Sequence, residues 1–352
     1  MTARVALVGC GWWPTAYHLP ALREHPEAEI AALVDLDPRR LAAAGEAFGV
    51  DTRFASVDDL LAAGAGVDAA IVAVPHARHF EVARPLLDHG VHVLVEKPMV
   101  LDPAHGRELL ALARARGVQL LVDYPWHYNP HVLALRDAVA AGRIGPLEHV
   151  SCLYASSVRP LYAGDPDAYR EVWGFPVNAP GPSTYSDPAL SGGGQGQTQI
   201  THAAALLELL TGRRPASAFA YAASFELAVD LADAVALRYA DGAIGTITST
   251  GAVLPGQDEL VRIELFGRDG HVQLDVNAGT ASIHDARGVE HLPPLAPERR
   301  NPETAPVRDL VGVALGRGES GSPGELGQGA VELVAAIYRS AATGRPADLG
   351  GA

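Results

Sequence analysis

The chain has 352 residues, 48% hydrophobic and 19% charged, and its 27 Lys and Arg face 41 Asp and Glu for a formal net charge of −14. That length accommodates two domains and a large core, and an acidic balance without any basic run argues against a nucleic-acid or anionic-membrane surface and for small-molecule partners. Cys10 and Cys152 are the only cysteines and give no disulfide framework, and no apolar run approaches the ~20 residues of a membrane span, so a reducing, cytoplasmic setting is expected.

Arg4-Val5-Ala6-Leu7-Val8 reads as a buried strand, followed by Gly9-Cys10-Gly11-Trp12-Trp13-Pro14 and a helix through Leu22. A strand, a glycine turn and a helix N-terminus make an anion seat, because unpaired N–H groups and the helix dipole face a phosphate. Pro14 stands where a dinucleotide fingerprint has its third glycine; proline is tolerated in a helix's first turn, so the motif is weakened and not abolished. The next strand, Glu29 to Val34, ends in Asp35. A carboxylate at that point accepts hydrogen bonds from the adenosine ribose hydroxyls and repels a 2′-phosphate, which predicts NAD. Arg39 and Arg40 on the following helix keep NADP open.

Alternation continues with helices at Pro38 to Phe48 and Asp58 to Ala63, a strand at Asp68 to Val74 and a helix at Phe80 to Asp88. Pro75-His76-Ala77-Arg78-His79 lies at that strand's carboxyl end, where a nicotinamide ribose would run. Val91 to Val95 is a β-branched run that ends abruptly in Glu96-Lys97-Pro98-Met99, and a helix at Pro103 to Arg116 and a strand at Gln119 to Val122 complete the set. Short strands alternating with helices predict a doubly wound parallel sheet of the Rossmann kind. Ligands of such sheets bind beyond the strands' carboxyl ends, so Lys97 is expected at the mouth of a site.

After Asp123 the pattern changes to Tyr124-Pro125-Trp126-His127-Tyr128-Asn129-Pro130, so the boundary is placed there: a dinucleotide-binding domain over 1–123 and a substrate-binding and oligomerisation domain over 124–352. Strand-like alternation at His149 to Ala155, Ser217 to Phe225, Ala232 to Tyr239, Ala243 to Thr250, Leu260 to Phe266 and Val272 to Val276 predicts a large, mostly antiparallel open sheet in an α+β domain. Ser157 to Leu190 is a candidate substrate loop. The last helix, 325–343, is expected to dock back on a domain, with the first one open as its partner. His76 with His79, His89 with His92 and His127 with His131 have spacings that suit a metal, but no Cys or carboxylate completes a set, and no metal is expected.

Ser191-Gly192-Gly193-Gly194-Gln195-Gly196-Gln197-Thr198-Gln199-Ile200-Thr201-His202 leads into the apolar helix Ala203 to Leu210. Glycines before a helix allow close approach by a ligand, and Gln195, Thr198, Gln199 and His202 share one helical face that suits a polyhydroxylated ligand. Together with the Gly9-Cys10-Gly11 turn, Glu96-Lys97-Pro98 and Phe266-Gly267-Arg268-Asp269-Gly270, this stretch resembles the glucose-fructose oxidoreductase, inositol dehydrogenase and MocA family over nearly the whole chain. The resemblance implies a Rossmann domain with NAD(P), a homo-oligomer (dimer or tetramer), and hydride transfer at a hydroxyl or keto carbon of a sugar, sugar derivative or cyclitol. It also implies that Lys97 polarises the substrate and His202 is the acid/base. Gly9, Gly11, Trp12, Trp13, Asp35, Pro75, His79, Glu96 and Lys97 are the expected cofactor contacts; Trp126, His127, Tyr185, Gln195, Thr198 and Gln199 are the expected substrate contacts, with Trp173 a further ring for a sugar to stack on.

An imidazole titrating near neutrality can take a carbinol proton while a fixed ammonium stabilises the developing alkoxide. Family members commonly have aspartate four residues before the histidine, where this chain has Thr198. A hydroxyl brings no charge to an imidazolium, so a distinct substrate specificity is expected. Two other readings stand beside the dehydrogenase: a redox-neutral enzyme that cleaves or epimerises sugars through transient oxidation by bound NAD, and a non-catalytic NAD(P)-binding sensor.

Overall fold

The computed structural model describes residues 1–349, which divide into two compact units. The first takes in Met1–Asp123, Pro166–Thr184 and Glu303–Gln328; the second takes in Tyr124–Asp165, Tyr185–Pro302 and the chain from Gly329 onward. Among the described residues no helix is long and apolar enough to cross a membrane.

The first unit is built on six strands: β1 (Ala3–Val8), β2 (Ala28–Val34), β3 (Arg53–Phe54), β4 (Ala69–Val72), β5 (His92–Val95) and β6 (Leu120–Val122). They run parallel in the order β3-β2-β1-β4-β5-β6, the Rossmann arrangement, whose direction of winding reverses between β1 and β4. β4 is buried at every position, as expected of a strand covered on both faces. Helix limits follow local chemistry. Asp37 caps Pro38–Phe48 by accepting the Arg39 N–H, and Gly49 ends it with φ 69°. Asp102 and Gly117 do the same for Pro103–Arg116. Leu7, Leu33, Ile71 and Leu94 are fully buried beside Leu19 and Leu22 and beside Val307, Leu310 and Val311 of helix Ala305–Ala314. Each such side chain contributes about 1.5–3 kcal/mol. No sequence expectation covers the helix Ala305–Ala314, and only its packing on the first sheet reveals its role.

The second unit holds β7 (Leu147–Ala155), β8 (Pro215–Ala223), β9 (Ala232–Tyr239), β10 (Ile244–Thr250), β11 (Leu260–Gly267), β12 (Gly270–Asp275), β13 (Thr280–Asp285), β14 (Gly288–His291) and β15 (Ala347–Asp348). Their order is β14-β13-β12-β11-β7-β10-β9-β8-β15, antiparallel except for the β7–β10 pair. Alternate residues of β9 and β10 are buried, so the sheet presents one face to helices Pro130–Ala140 and Thr201–Thr211 and one outward. The last long helix, Gly324–Thr343, begins in the first unit and continues in the second.

Candidate active site

Gly9 follows β1 with φ 97°, and a Cβ there would lie 2.3 Å from the Ala73 carbonyl oxygen, so the fold admits only glycine. At Gly11 a Cβ would meet nothing nearer than Pro14 Cδ at 4.0 Å; its missing side chain therefore leaves room for a ligand. The turn feeds a π-helical start at Pro14–His18, a geometry frequent at functional sites. Asp35 ties the turn to β2: Oδ2 accepts the Cys10 N–H at 2.7 Å and Oδ1 accepts the Asp37 N–H at 2.7 Å. Each oxygen keeps a second lone pair for a ribose hydroxyl. Trp12 is 8% exposed and its indole Nε1 has no protein acceptor, a donor that a bound phosphate or ribose oxygen would satisfy. Trp13 packs on Tyr17. These residues fit a dinucleotide.

At the carboxyl end of β5, Glu96 is the centre of a buried cluster. His18 Nε2 donates to Glu96 Oε1 at 2.7 Å and lies 3.8 Å from Asp123 Oδ2. Burial pushes the His18 pKa down and the Glu96 pKa up, and burial with the neighbouring Glu96 charge pushes Asp123 well up, which favours an uncharged imidazole and a proton shared between the two carboxylates. Glu96 Oε2 accepts the Lys97 backbone N–H at 3.3 Å. An imidazole and two carboxylates this close could also ligate a divalent ion, a set absent from the sequence reading because its members are 78 and 27 residues apart in the chain. Lys97 itself is half-buried, and its positive charge favours ionisation of Glu96 and Asp123.

His79 corrects the sequence reading. Its ring is fully buried, with Nδ1 facing Pro98 O at 2.8 Å and Nε2 facing Val74 O at 2.9 Å, so both edges are occupied by backbone. It braces the Glu96-Lys97-Pro98 turn against the end of β4. Pro75, half-buried, begins the short helix His76–Arg78 beside it.

In the second unit His202 is half-buried among aromatic rings: Trp126 at 5.2 Å, Tyr124 at 5.6 Å and Tyr154 at 6.4 Å between centroids. Trp126 Nε1 and both ring nitrogens of His127 are buried without hydrogen-bond partners. Burial alone lowers the His127 pKa to about 3, leaving a neutral ring with one donor and one acceptor unused. Such groups are costly unless a ligand or water meets them. Tyr185 and Gln199 are half-buried, and Tyr185 lies near enough to Tyr162 to raise its pKa.

Gln195 and Thr198 correct the expectation that they share an open helical face with His202. The segment Gly196–Ile200 is a π-helical turn, which breaks the three-and-four spacing assumed from sequence. Gln195 is fully buried: Nε2 donates to Ser249 Oγ at 2.8 Å and Ser156 Oγ at 3.1 Å, and Oε1 accepts from Tyr162 at 3.3 Å. Thr198 Oγ1 donates to Gly194 O at 2.9 Å and meets the Tyr162 hydroxyl. The glycines are likewise occupied. A Cβ on Gly194 would lie 1.9 Å from Asp230 O, and one on Gly193 would lie 2.2 Å from the Tyr338 hydroxyl. Asp230, Asp233, Tyr162 and Tyr338 carry no local sequence signal that would have assigned them to this loop.

A family described as "Oxidoreductase family, NAD-binding Rossmann fold" matches residues 3–124, and the GFO/IDH/MocA C-terminal domain matches residues 132–273. D-apiose dehydrogenase of Paraburkholderia graminis is 36% identical over 142 residues, 40% of this chain and 37% of that one. The chain thus spans about two fifths of the length of such curated relatives. Inositol 2-dehydrogenase of Rhizobium meliloti is 28% identical over 302 residues, 84% of this chain and 82% of that one. The solved structure of the WlbA dehydrogenase from Bordetella pertussis with NADH and UDP-GlcNAcA superposes with TM-score 0.79 at 27% identity, covering 100% of each chain. The chain belongs to the glucose-fructose oxidoreductase, inositol dehydrogenase and MocA family of NAD-binding oxidoreductases.

Proposed function

We propose that this protein transfers a hydride between a nicotinamide and a hydroxyl or keto carbon of a sugar, sugar derivative or cyclitol, with Lys97 as the polarising cation and His202 as the acid/base. The observation that carries this reading is the carboxyl edge of the first sheet. There the dinucleotide seat at Gly9, Gly11 and Asp35 and the mount for Lys97 are built on strands of one rigid core.

A bound nicotinamide supplies the hydride acceptor or donor. Lys97 stabilises negative charge on the reacting oxygen, and Glu96, fixed by His18 and Asp123, holds the backbone from which Lys97 projects. His202 takes the hydroxyl proton on oxidation and returns it on reduction. Trp126 and His127 offer the buried polar atoms that a polyol's hydroxyls would pair with, and Tyr185 and Gln199 are further candidates. Asp35 favours NAD. The relatives named for apiose and inositol, and the neighbour solved with a nucleotide-linked sugar, support the same substrate class.

The outward face of the second sheet, with Ala234, Ala236, Ile244 and Thr246 exposed, suits pairing with a second copy of the chain as a dimer or tetramer. Cys10 and Cys152 are both buried and unpaired, in keeping with the reducing, cytoplasmic setting that belongs to this reading. The experiment is a screen of sugars, cyclitols, sugar lactones and nucleotide-linked sugars with NAD and NADP, following the absorbance of reduced nicotinamide. Turnover with NAD on a member of these classes is expected. Silence across all of them in both directions would remove the dehydrogenase reading.

A further inference from the structure

Segment Pro166–Thr184 leaves the second unit's part of the chain and belongs to the first, where it packs on the glycine turn. Trp173, read from sequence as a ring for a sugar to stack on, instead lies against Trp12 with centroids 5.0 Å apart and planes at 12°. Tyr169, fully buried, stacks on the other face of Trp173 at 4.0 Å and 6°, and Phe175 meets Trp12 edge-on at 5.6 Å. Beyond the rings, Asn178 Nδ2 donates to the Cys10 carbonyl at 2.7 Å and the Arg40 carbonyl at 3.3 Å. The segment is thereby pinned at both the phosphate-binding turn and the helix after Asp35. Its backbone is bent to reach: Gly174 has φ 74°, and Phe175, a residue with a bulky side chain, has φ 37°. Left-handed backbone is uncommon at a phenylalanine, and here Phe175 is buried against Trp12. Trp12 lies under this stack with its indole N–H buried and unpaired.

We propose that Pro166–Thr184 is an aromatic strap that retains the dinucleotide, with Trp12 Nε1 donating to an oxygen of the nucleotide and the Trp12–Trp173 stack opening each time a nucleotide enters or leaves. The strap rests on dinucleotide binding by this unit and is independent of which sugar reacts. It makes cofactor exchange slow, because a stacked, hydrogen-bonded segment of this kind must be displaced before the turn is exposed. Loss of one aromatic stack or one buried hydrogen bond is expected to speed exchange about ten-fold, equivalent to about 1.4 kcal/mol.

The test is the release of NADH from the purified full chain, followed by nicotinamide fluorescence after mixing with excess NAD. Trp173→Ala and Asn178→Ala should each release NADH about ten-fold faster than the wild type, whereas Trp173→Phe, which keeps a stacking ring, should stay within about three-fold. Trp12→Phe should weaken the NADH Kd about five-fold or more by losing the N–H while keeping a ring. Release rates within two-fold of wild type in both alanine variants would overturn the strap. If those variants fold poorly, hydrogen exchange on the wild type decides. Added NADH should protect the amides of 166–184, and unchanged exchange there with NADH bound overturns the proposal. A wild type that binds no NADH removes the strap together with the dinucleotide reading. Slow, strap-dependent release without turnover of any sugar supports the strap and removes only the proposed reaction.

Discussion

Asp230 holds Gly196 from below: its Oδ2 accepts the Gly196 N–H at 2.7 Å, while Oδ1 takes the Gly194 N–H and the Tyr338 hydroxyl, each at 2.8 Å. One carboxylate thus sets the path of the glycine loop that leads into the His202 helix. Hydrogen bonds to a charged group contribute about 1.5–3 kcal/mol each, and buried donors left unpaired cost more than the bond itself. Asp230→Ala should therefore lower stability by roughly 3–5 kcal/mol, and Asp230→Asn by roughly half as much. Urea unfolding measures both; an unshifted midpoint in Asp230→Ala would mean the loop is held by its other contacts.

Asp233, beside Asp230, gives a prediction with pH. Burial, and then the Asp230 charge, raise its pKa to about 8 from the ordinary 3.8, with the Tyr162 and Tyr338 phenols nearby. Between those two values the folded protein holds a proton that the unfolded chain has released. The linkage slope is then negative, so this group makes stability fall as pH rises from 3.8 to about 8 and contributes no further change above that. Asp233→Asn, which imitates the protonated form, should gain on the wild type across that window, by an amount on the order of a few kcal/mol at its upper end. Denaturation at several pH values tests it, and a constant offset between variant and wild type would refute the assignment.

Lys97→Ala and His202→Ala should each reduce kcat by roughly 10²–10⁴, the range for lost acid–base or electrostatic assistance. NADH affinity should change little in His202→Ala. Glu96→Gln keeps the size of the side chain but weakens its pairing with His18 and Asp123; about a ten-fold lower kcat with a shifted pH profile would mark it as a positioning residue. Wild-type rates in Lys97→Ala or His202→Ala would remove the roles proposed for them.

Which parts of this molecule are legible in its sequence follows from where the information lies. Helices Pro38–Phe48 and Pro103–Arg116 are readable to the residue because an aspartate cap, a proline and a left-handed glycine mark their ends locally. The parallel strands β1, β2, β4, β5 and β6 are equally plain, since burial on both faces demands continuous apolar runs, whereas the two-residue β3, half-buried and opened by Arg53, offers no such run. β13 and β14 escape because β14 is exposed throughout and neither is marked by a clean alternation. The face assigned to Gln195, Thr198 and His202 fails for a specific reason: a π turn occupies Gly196–Ile200, and nothing local distinguishes its sequence from ordinary helix. The pairing of His18 with Glu96 and the return of Trp173 to Trp12 depend on contacts across 78 and 161 positions, which no local pattern encodes.

His127 separates a binding role from a packing role. Its two ring nitrogens lack partners and its charge is suppressed by burial, so in the free protein it is a cost. His127→Phe should raise the melting temperature, by the equivalent of about 1 kcal/mol, and should raise KM for the preferred sugar several-fold. Lower stability with unchanged KM would assign the ring to packing.

Asp35 is tied to both Cys10 and Asp37, so replacing it tests cofactor choice only if the turn survives. Asp35→Asn keeps an acceptor for one of those N–H groups while removing the charge that a 2′-phosphate would meet. At an effective dielectric near 20, two unit charges 4 Å apart interact by ~4 kcal/mol, before salt and solvent reduce it. The NAD-to-NADP preference in Kd should therefore shift toward NADP by at least ten-fold. NAD affinity itself should fall by less, because the ribose hydroxyls retain an oxygen to donate to. Selectivity unchanged in a folded Asp35→Asn protein would transfer the discrimination to other groups on the turn.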